Sequence, residues 1–501
     1  MPIGPLPALP KYRTDLVSRR MCRTAQLDPR FAREVLAEYA EDGIRAAGLP
    51  VGVNVVAVVR HARQAEARVL RRDRVLAGLL ALLPALLLLA ARSLTTGHGA
   101  LAAAAAAGLP AVVLAALVVV YRELWTSWRI ARELGEGAGA AAGQAPPVEP
   151  ELERQLELLK RANLVVYHED VAGVNPFVGS GWRIYEQVWA PINIARPARD
   201  SAGNPLTPVP FNAADIHDQV ARWIIKDSGL DGISVRNRLY ARGTFLANLP
   251  WALPDPTGRP LTVVDSQWVK AGAANPTTGL ETYLCLRMIG DGGRVVVSMH
   301  LRAQLTRTSL TWNVNAYVLP PLGPRFDLPD RQLAGPVRLR ARALADAARA
   351  TPGLLFGSVG ALLGRAADAA GKARRLERTR REIRKNYGTI DYGTTNSLRE
   401  RASFWPYMEF AERRDSSTYF KLMVQAVLDA TEQFLAAHRI DTADLTAQQQ
   451  QQIFQTQTTI FNGAIQNAVI GGVGNVQNNY VAPPGGGSSA GGPNPAAAPS
   501  P

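Results

Sequence analysis

The chain has two cysteines in 501 residues, Cys22 and Cys285, and their separation excludes both a disulfide framework and the paired spacing of a zinc knuckle. So thin a cysteine content fits a reducing compartment. The six histidines, His61, His98, His168, His217, His300 and His438, form no His-x-x-x-His pair or other metal-ligand spacing. No glycine-rich phosphate loop and no dinucleotide fingerprint occurs. Gly179-Ser180-Gly181 lacks the flanking residues of a nucleophile elbow, so Ser180 reads as a tight-turn residue. Imidazole and carboxylates cluster only at His168-Glu169-Asp170 and at Asp215-Ile216-His217-Asp218, and a histidine beside an acid is far commoner on a helix surface than in a catalytic pair. The sequence therefore assigns no catalytic residue, no metal and no cofactor. A membrane-tethered enzyme working through His168, Glu169 and Asp170, or through Asp215, His217 and Asp218, is the alternative. Met1 to Pro10 is proline-rich, has no uncharged core of adequate length, and does not resemble a cleaved signal peptide.

Charge is also missing from two long runs, and these organise the chain. Val75 to Ala91 carries no charged side chain and stands at the short end of the roughly 17–25 residues needed to cross a hydrocarbon core. Ala100 to Tyr121 is comfortably long enough. Only Arg92 to Gly99 separates the two runs, so residues 75–121 read as an antiparallel transmembrane hairpin. Neither run has the polar stripe of a helix at a soluble surface. Small residues, Gly78, Ala81, Ala102 to Ala107 and Gly108, allow close approach of the two helices, and Pro84 and Pro110 predict kinks. Arg60, Arg63, Arg68, Arg71, Arg72 and Arg74 precede the first run, Arg122, Arg129 and Arg132 follow the second, and the link holds only Arg92. Cationic flanks stay on the cytoplasmic side, so both termini are expected there, with Tyr121, Trp125 and Trp128 at the inner headgroup level. Two spans without an ionisable side chain build no polar pathway alone, and an oligomeric pore or transporter accessory subunit is a further alternative.

Ahead of the hairpin, residues 1–74 are expected to be a helical cytoplasmic region, with charged and apolar positions alternating at helical spacing from Tyr12 to Arg74. Asp28-Pro29 starts a helix placing Phe31, Val35, Leu36 and Tyr39 on one face, Gly48 to Pro50 is a break, and a helix from about Asn54 runs on into the membrane. Cys22 reads as a small buried apolar residue. Residues 135–150 are Gly/Ala/Pro-rich and form a linker, followed by a short charged helix at Glu151 to Ala162. Residues 151–330 then change texture. Strand-like runs lie at Asn163 to Tyr167, Trp189 to Ile194, Ile233 to Tyr240, Leu261 to Val264, Glu281 to Met288, Val295 to Leu301 and Thr308 to Leu319, with a hairpin signal at Asp291-Gly292-Gly293. Asn212 caps a helix with Asp215 reaching back, Val220, Trp223 and Ile224 face inward, and Gly229 ends it. The fold class is α+β: a two-helix hairpin, a mostly antiparallel α+β domain, and a helical C-terminal region.

Two stretches resemble a known group. Arg20-Met21-Cys22-Arg23-Thr24-Ala25-Gln26-Leu27-Asp28 with Val58-Val59-Arg60-His61, and Asn163-Leu164-Val165-Val166-Tyr167 followed by Asn175-Pro176-Phe177-Val178-Gly179-Ser180-Gly181, resemble uncharacterised actinobacterial, Streptomyces-like two-pass integral membrane proteins. That resemblance implies an architecture and no chemistry.

Residues 335–387 are basic. From Val337 to Lys385 cations outnumber acids roughly three to one around an uncharged centre, Pro352 to Gly364. Leu354, Leu355, Val359, Leu362 and Leu363 fall on one helical face, with Arg338, Arg340 and Arg342 before them and Lys372, Arg374, Arg375 and Arg378 after. An interfacial helix is built this way, leucines in the acyl boundary and cations against anionic lipid. A helix packed on the α+β domain is the bland alternative, and the centre is too short for a third span. Residues 388–445 carry a patterned helix, Ser416 to His438. Residues 446–480 are Gln/Asn/Gly-rich, and within them Ile465, Gln466, Val469, Ile470, Val473 and Val476 belong to an uncharged run fit for self-association and similar to short amyloid-type signalling motifs. A plain strand or tail is the bland alternative there. Residues 481–501 are Gly/Pro/Ala-rich and expected to be disordered.

The formal net charge of +14 fits an anionic inner leaflet, since the hairpin already holds the chain there. Lys372 to Lys385 lacks the aromatic series that stacks on bases, which disfavours nucleic acid. The expectation is a membrane-anchored cytoplasmic binding, scaffold or assembly protein of a bacterial inner membrane, partnered by the bilayer, by further copies of itself and by another protein.

Overall fold

The computed structural model describes residues 15–96, 99–136, 141–173, 175–327, 336–385 and 390–443. The N-terminal region is helical. Helix α1 spans Leu16–Leu27 and α2 spans Pro29–Leu36, started by Asp28, whose side chain accepts from the Arg30 and Phe31 amides. Phe31, Val35, Leu36 and Tyr39 are all buried, as their spacing predicts. The helix ends in a π turn at Ala37–Glu41 and not at Gly48 to Pro50. The Asp42 carboxylate accepts from the Ile44 and Arg45 amides and starts the turn that carries the chain away.

Helix α3 runs Val55–Thr95 and α4 runs Gly99–Glu136, so the two apolar runs are the far ends of longer helices. At 1.5 Å per residue each is about 55–60 Å long, twice a hydrocarbon core. Their near ends are packed in a helical base, where Val58, Val59 and Ala62 of α3 and Ile130 and Leu134 of α4 meet Met21, Cys22 and Ala25 of α1. Their far ends are bare. The most apolar windows have mean hydropathies of 2.3 and 2.5, yet only 6% and 22% of their residues are buried. Leu82, Leu87, Leu88, Val113 and Leu114 are about half exposed or more. The core helix of a soluble protein would bury such residues, so these two helices are suited to cross a membrane.

After α5 (Pro150–Lys160), a seven-stranded sheet is built from β1 (Leu164–Tyr167), β2 (Trp182–Val188), β3 (Ile192–Asn193), β4 (Ser234–Arg242), β5 (Leu280–Gly290), β6 (Val295–Leu305) and β7 (Ser309–Leu319). The order is β1-β4-β5-β6-β7-β2, with β3 following β2 along β7. Among the described strands β1 and β4 pair in parallel and the other pairs are antiparallel, and Thr394 adds a single parallel bridge at Tyr167. The β5–β6 hairpin turns where predicted, Gly290 opposite Val295, with Gly292 at φ 63°, which glycine adopts without steric penalty.

Two expectations need correction. The chain pairs earlier than Trp189 to Ile194, at Trp182 to Val188, where residues such as Arg183, Glu186 and Gln187 hide a strand that has one solvated face. Only Ile192 and Asn193 of the expected run join the ladder. Leu261 to Val264 is a loop, although the Thr262 carbonyl accepts from the Asn163 and Leu164 amides at the start of β1 and so uses the hydrogen bonds a strand would have made.

One face of the sheet is covered by α6 (Ala213–Asp227) and α10 (Phe410–Ala437), which enclose Leu286, Val297, Met299, Trp312 and Val314. The capping box at Asn212 and Asp215 is present, Val220 and Ile224 are buried, and Trp223 is half-buried. The other face carries Tyr240, Cys285, Val296 and Tyr317 under Leu49, Val51, Phe177 and Val178, while α7 (Ser266–Ala274) packs at the β1 end. Helix α9 (Leu398–Ala402) joins the helical base through Leu398. Ahead of it lies α8, fifty residues, Pro336–Lys385, unbroken at Pro352. It packs on the hairpin and only at its last turns, through Ile383, on the α+β domain.

Candidate functional site

The cation-rich level of the hairpin is where α8 meets it. The Arg72 guanidinium lies 3.5 Å from the Glu123 carboxylate and 2.7 Å from Asp73, so positions 72 and 123 mark one height on α3 and α4. Leu339 and Ala343 at the start of α8 pack on Trp128 of α4, Ala347 and Leu355 join Leu76, Ala116 and Val120, and Arg365 reaches Asp73 at 2.8 Å. Residues 339 and 365 therefore meet the hairpin within about two turns of the same height, although about 40 Å of helix separates them. Helix α8 crosses the hairpin and does not run beside it as a third span. Asp73 is an acid in the run Arg71-Arg72-Asp73-Arg74, only 2% exposed, and it holds both arginines. That interruption of a basic run was the available sequence signal for a residue that had not been singled out.

The predicted surface residues divide by face. Arg338, Arg340 and Arg342 are exposed, with Arg340 over the Trp125 ring at 5.2 Å and Arg342 over Trp128 at 5.9 Å. Arg340 and Arg342 thus lie over two of the three aromatic rings expected at the headgroup level. The leucines do not share one free face. Leu355 is buried on the hairpin, Leu354 and Leu362 are half-buried, and Leu363 and Val359 are exposed together with Phe356. A 50-residue helix presents a different side to its neighbour than the five-residue pattern indicates, and its packed stripe is Leu339, Ala343, Ala347, Thr351, Leu355 and Ser358, all buried. Lys372 pairs with Glu41 at the end of the π turn after α2 at 2.5 Å, while Arg374, Arg375 and Arg378 are exposed. Residues Ile465, Gln466, Val469, Ile470, Val473 and Val476 lie outside the described residues.

The two histidine clusters behave differently. His168 caps a short 3₁₀ turn through Nδ1, which accepts from the Asp170 amide, and its Nε2 lies 3.6 Å from Asp391. Glu169 is taken by Arg242 and Thr244 at 2.9 and 3.1 Å. This is a surface network that fastens the segment around Asp391 to the end of β1. Asp215 is used by its capping box, but His217 and Asp218 face a cleft of about 140 Å³ between α6, α7, β4 and β5, lined also by Asn163, Asn237, Ser266 and Lys270. Asp218 lies 3.1 Å from Lys270 and accepts from the Asn237 amide at 2.8 Å. His217 Nε2 accepts from the Ala303 amide at 3.0 Å, which leaves Nδ1 to carry the proton, and burial holds its pKa down to about 3. Lys270 and Asn237 come from α7 and β4, far from residue 217 in sequence, and no local pattern could have joined them.

A third polar cluster lies inside the sheet domain. His300 Nε2 is 2.9 Å from Ser180 Oγ, and its Nδ1 is 3.2 Å from both Cys285 Sγ and the Tyr240 hydroxyl, under a stacked Phe177 ring at 4.2 Å. Burial raises the Cys285 thiol pKa and lowers that of His300, so both are neutral, which is the reverse of a thiolate–imidazolium nucleophile. The cluster satisfies polar groups in the core. Among the described residues no group of three or more His, Cys, Asp or Glu is placed to hold a metal ion.

The architecture is thus a hairpin of two helices long and apolar enough to cross a membrane, crossed by a basic helix and followed by an α+β sheet domain. Residues 182–477, more than half of the chain, match the AbeC-like domain, and the chain belongs to the AbeC-like domain family. No curated protein and no solved structure matches it.

Proposed function

We propose that this chain is a membrane-anchored cytoplasmic binding, scaffold or assembly protein of a bacterial inner membrane, both termini cytoplasmic, with α8 lying at the inner leaflet. The observation that carries this reading is the crossing of α8 at the cation-rich level of the hairpin. A helix held there across the hairpin lies along the interface, its exposed Phe356, Val359 and Leu363 within reach of acyl chains and Arg374, Arg375 and Arg378 within reach of anionic headgroups. Each such cation near an anionic surface contributes about 1 kcal/mol. The sheet domain, tied to α8 through Ile383 and to α1 and α2 through the helical base, is then a rigid platform at the membrane for a protein partner or further copies.

A membrane-tethered enzyme is the second reading, and the cleft containing His217, Asp218 and Lys270 is the observation that favours it.

The test is fractionation and protease protection of the full chain with a C-terminal tag. Tag protected in intact spheroplasts and cut after lysis is the expected result. Cleavage in intact spheroplasts would put the sheet domain outside and end the cytoplasmic reading. Turnover or saturable small-molecule binding that is lost in His217→Gln would move the assignment to the cleft.

A further inference from the structure

Two buried polar atoms at the cleft between α6 and α7, His217 Nδ1 and Asn237 Oδ1, have no hydrogen-bond partner among the described residues, and both side chains line the cleft. His217 is 1% exposed. Buried polar atoms are almost always bonded, so an orphaned pair at one cavity calls for an occupant. The neighbouring polar groups are already engaged. Asn163 both donates to and accepts from the Val264 backbone at 2.8 Å, and Thr282 Oγ1 donates to the Val269 carbonyl at 2.7 Å.

The role of each orphan is fixed by what its other end holds. A backbone amide only donates, so His217 Nε2, 3.0 Å from the Ala303 amide, is the bare nitrogen and Nδ1 carries the proton. A carboxylate only accepts, so Asn237 turns its NH2 group to Asp218 at 2.8 Å and is left with a free carbonyl oxygen. The cleft thus offers one donor from α6 and one acceptor from β4, and they are neighbours, because Asn237 is bonded to the residue next to His217. Lys270 lies 3.1 Å from Asp218 and offsets its charge, which suits a neutral occupant. Ala214 on α6 and Val269 and Ala273 on α7 are apolar walls, and the volume of about 140 Å³ holds on the order of ten water-sized groups. A lone water would meet both orphans and leave most of that volume unfilled.

We infer that the cleft binds a small neutral molecule through an amide edge, whose carbonyl oxygen accepts from His217 Nδ1 and whose N–H donates to Asn237 Oδ1, with its apolar body between α6 and α7. A primary carboxamide and the ring amide of a pyrimidine base share this edge. The inference rests on the cleft of the second reading, adds the class of its ligand, and requires no turnover there.

The test uses the full chain in nanodiscs and four uncharged probes in two matched pairs. Nicotinamide is titrated against 3-acetylpyridine, and uracil against 1,3-dimethyluracil; the second member of each pair keeps the carbonyl and lacks the N–H. Saturable binding of at least one amide, tighter than its partner on the order of tenfold or more, is expected from calorimetry, because a site built to bond an N–H rejects the analogue without it. Amide exchange in residues 214–218 and 266–273 of the unaltered chain should slow when that amide saturates. Asn237→Leu, and Ser266→Trp at an exposed position on the rim, should each weaken binding on the order of tenfold or more. Equal binding within both pairs, no saturable binding of either amide, or slowed exchange confined to other parts of the chain would overturn the inference. Turnover that is lost in His217→Gln, with neither amide bound, would support the second reading and overturn this inference. Amide binding without turnover upholds it and makes the cleft a receptor site and not an active site.

Discussion

The Asp73 carboxylate, enclosed between α3, α4 and α8, stands 2.8 Å from the Arg365 guanidinium and ties the crossing helix to the α3–α4 hairpin. Arg72 holds the same carboxylate at 2.7 Å and Glu123 at 3.5 Å, so four charged side chains close a network at the height where the cationic flank meets the apolar run. Removing Asp73 leaves two arginines facing each other in a desolvated place.

Asp73→Ala should therefore loosen α8 more than Arg365→Ala does. The loss is expected to be about 2–4 kcal/mol for Asp73→Ala and about 1 kcal/mol for Arg365→Ala, whose side chain is 31% exposed. Trypsin cleavage between Arg365 and Arg378 in detergent-solubilised protein reads this out. Equal cleavage in both variants and the unaltered chain would show that the ion pair does not hold the helix.

The exposed apolar side of α8 gives a second prediction. An environment-sensitive dye on Leu363→Cys in nanodiscs with anionic lipid should emit as in an apolar medium, whereas dye on Arg349→Cys, a position with 79% exposed side chain, should emit as in water. The same spectrum at both positions would count against an interfacial α8.

Acid should destabilise the sheet domain. His217 is held below its usual pKa of 6.5 by burial, to about 3. The unfolded chain then binds more protons than the folded one between those values, so the stabilisation is complete above 6.5 and falls steadily as pH drops toward 3. The full span corresponds to about 4–5 kcal/mol. Denaturant midpoints measured from about pH 7.5 to 4 should decline, and less steeply in His217→Gln, which keeps an acceptor for the Ala303 amide. A variant with an unaltered slope would sink this account.

Among the described glycines at positive φ, Gly181 is the most tightly enclosed. Its φ is 89°, and a Cβ there would lie 2.4 Å from the Val318 carbonyl oxygen, while its amide donates to half-buried Glu400 at 2.8 Å. Gly203, at φ 87° with open space around it, has the same backbone demand and none of the crowding. Gly181→Ala should lower stability by several kcal/mol and Gly203→Ala by about 1 kcal/mol. Thermal unfolding of the two variants tests the order.

Much of the fold was legible in local pattern. Asn212 and Asp215 announced a helix start because capping needs only residues three apart, and Asp291-Gly292-Gly293 announced a hairpin because a tight turn needs only a residue free to adopt positive φ. Strand β2 escaped because one face is solvated and charged, so its apolar content is that of a loop. At Leu261 to Val264 the outcome went the other way: β-branched residues suggested a strand where the start of β1 is met by the Thr262 carbonyl and its later residues by Thr394. The candidate sites were less legible still. The basic content of α8 was evident, but its buried stripe depends on where the hairpin lies against it, and the cleft joins His217 to Lys270 and Asn237 only because α6, α7 and β4 converge.

By itself the sequence determined that two helices are long and apolar enough to cross a membrane, because length and the lack of charge are read directly from the runs. It also determined the helix starts, the hairpin turn and the α+β class, since each depends on near neighbours. Tertiary structure alone decided that α8 crosses the hairpin, that Asp73 anchors it, and that His217 and Lys270 line one cleft. Those are relations between residues tens to hundreds of positions apart, set by how packed surfaces meet in space.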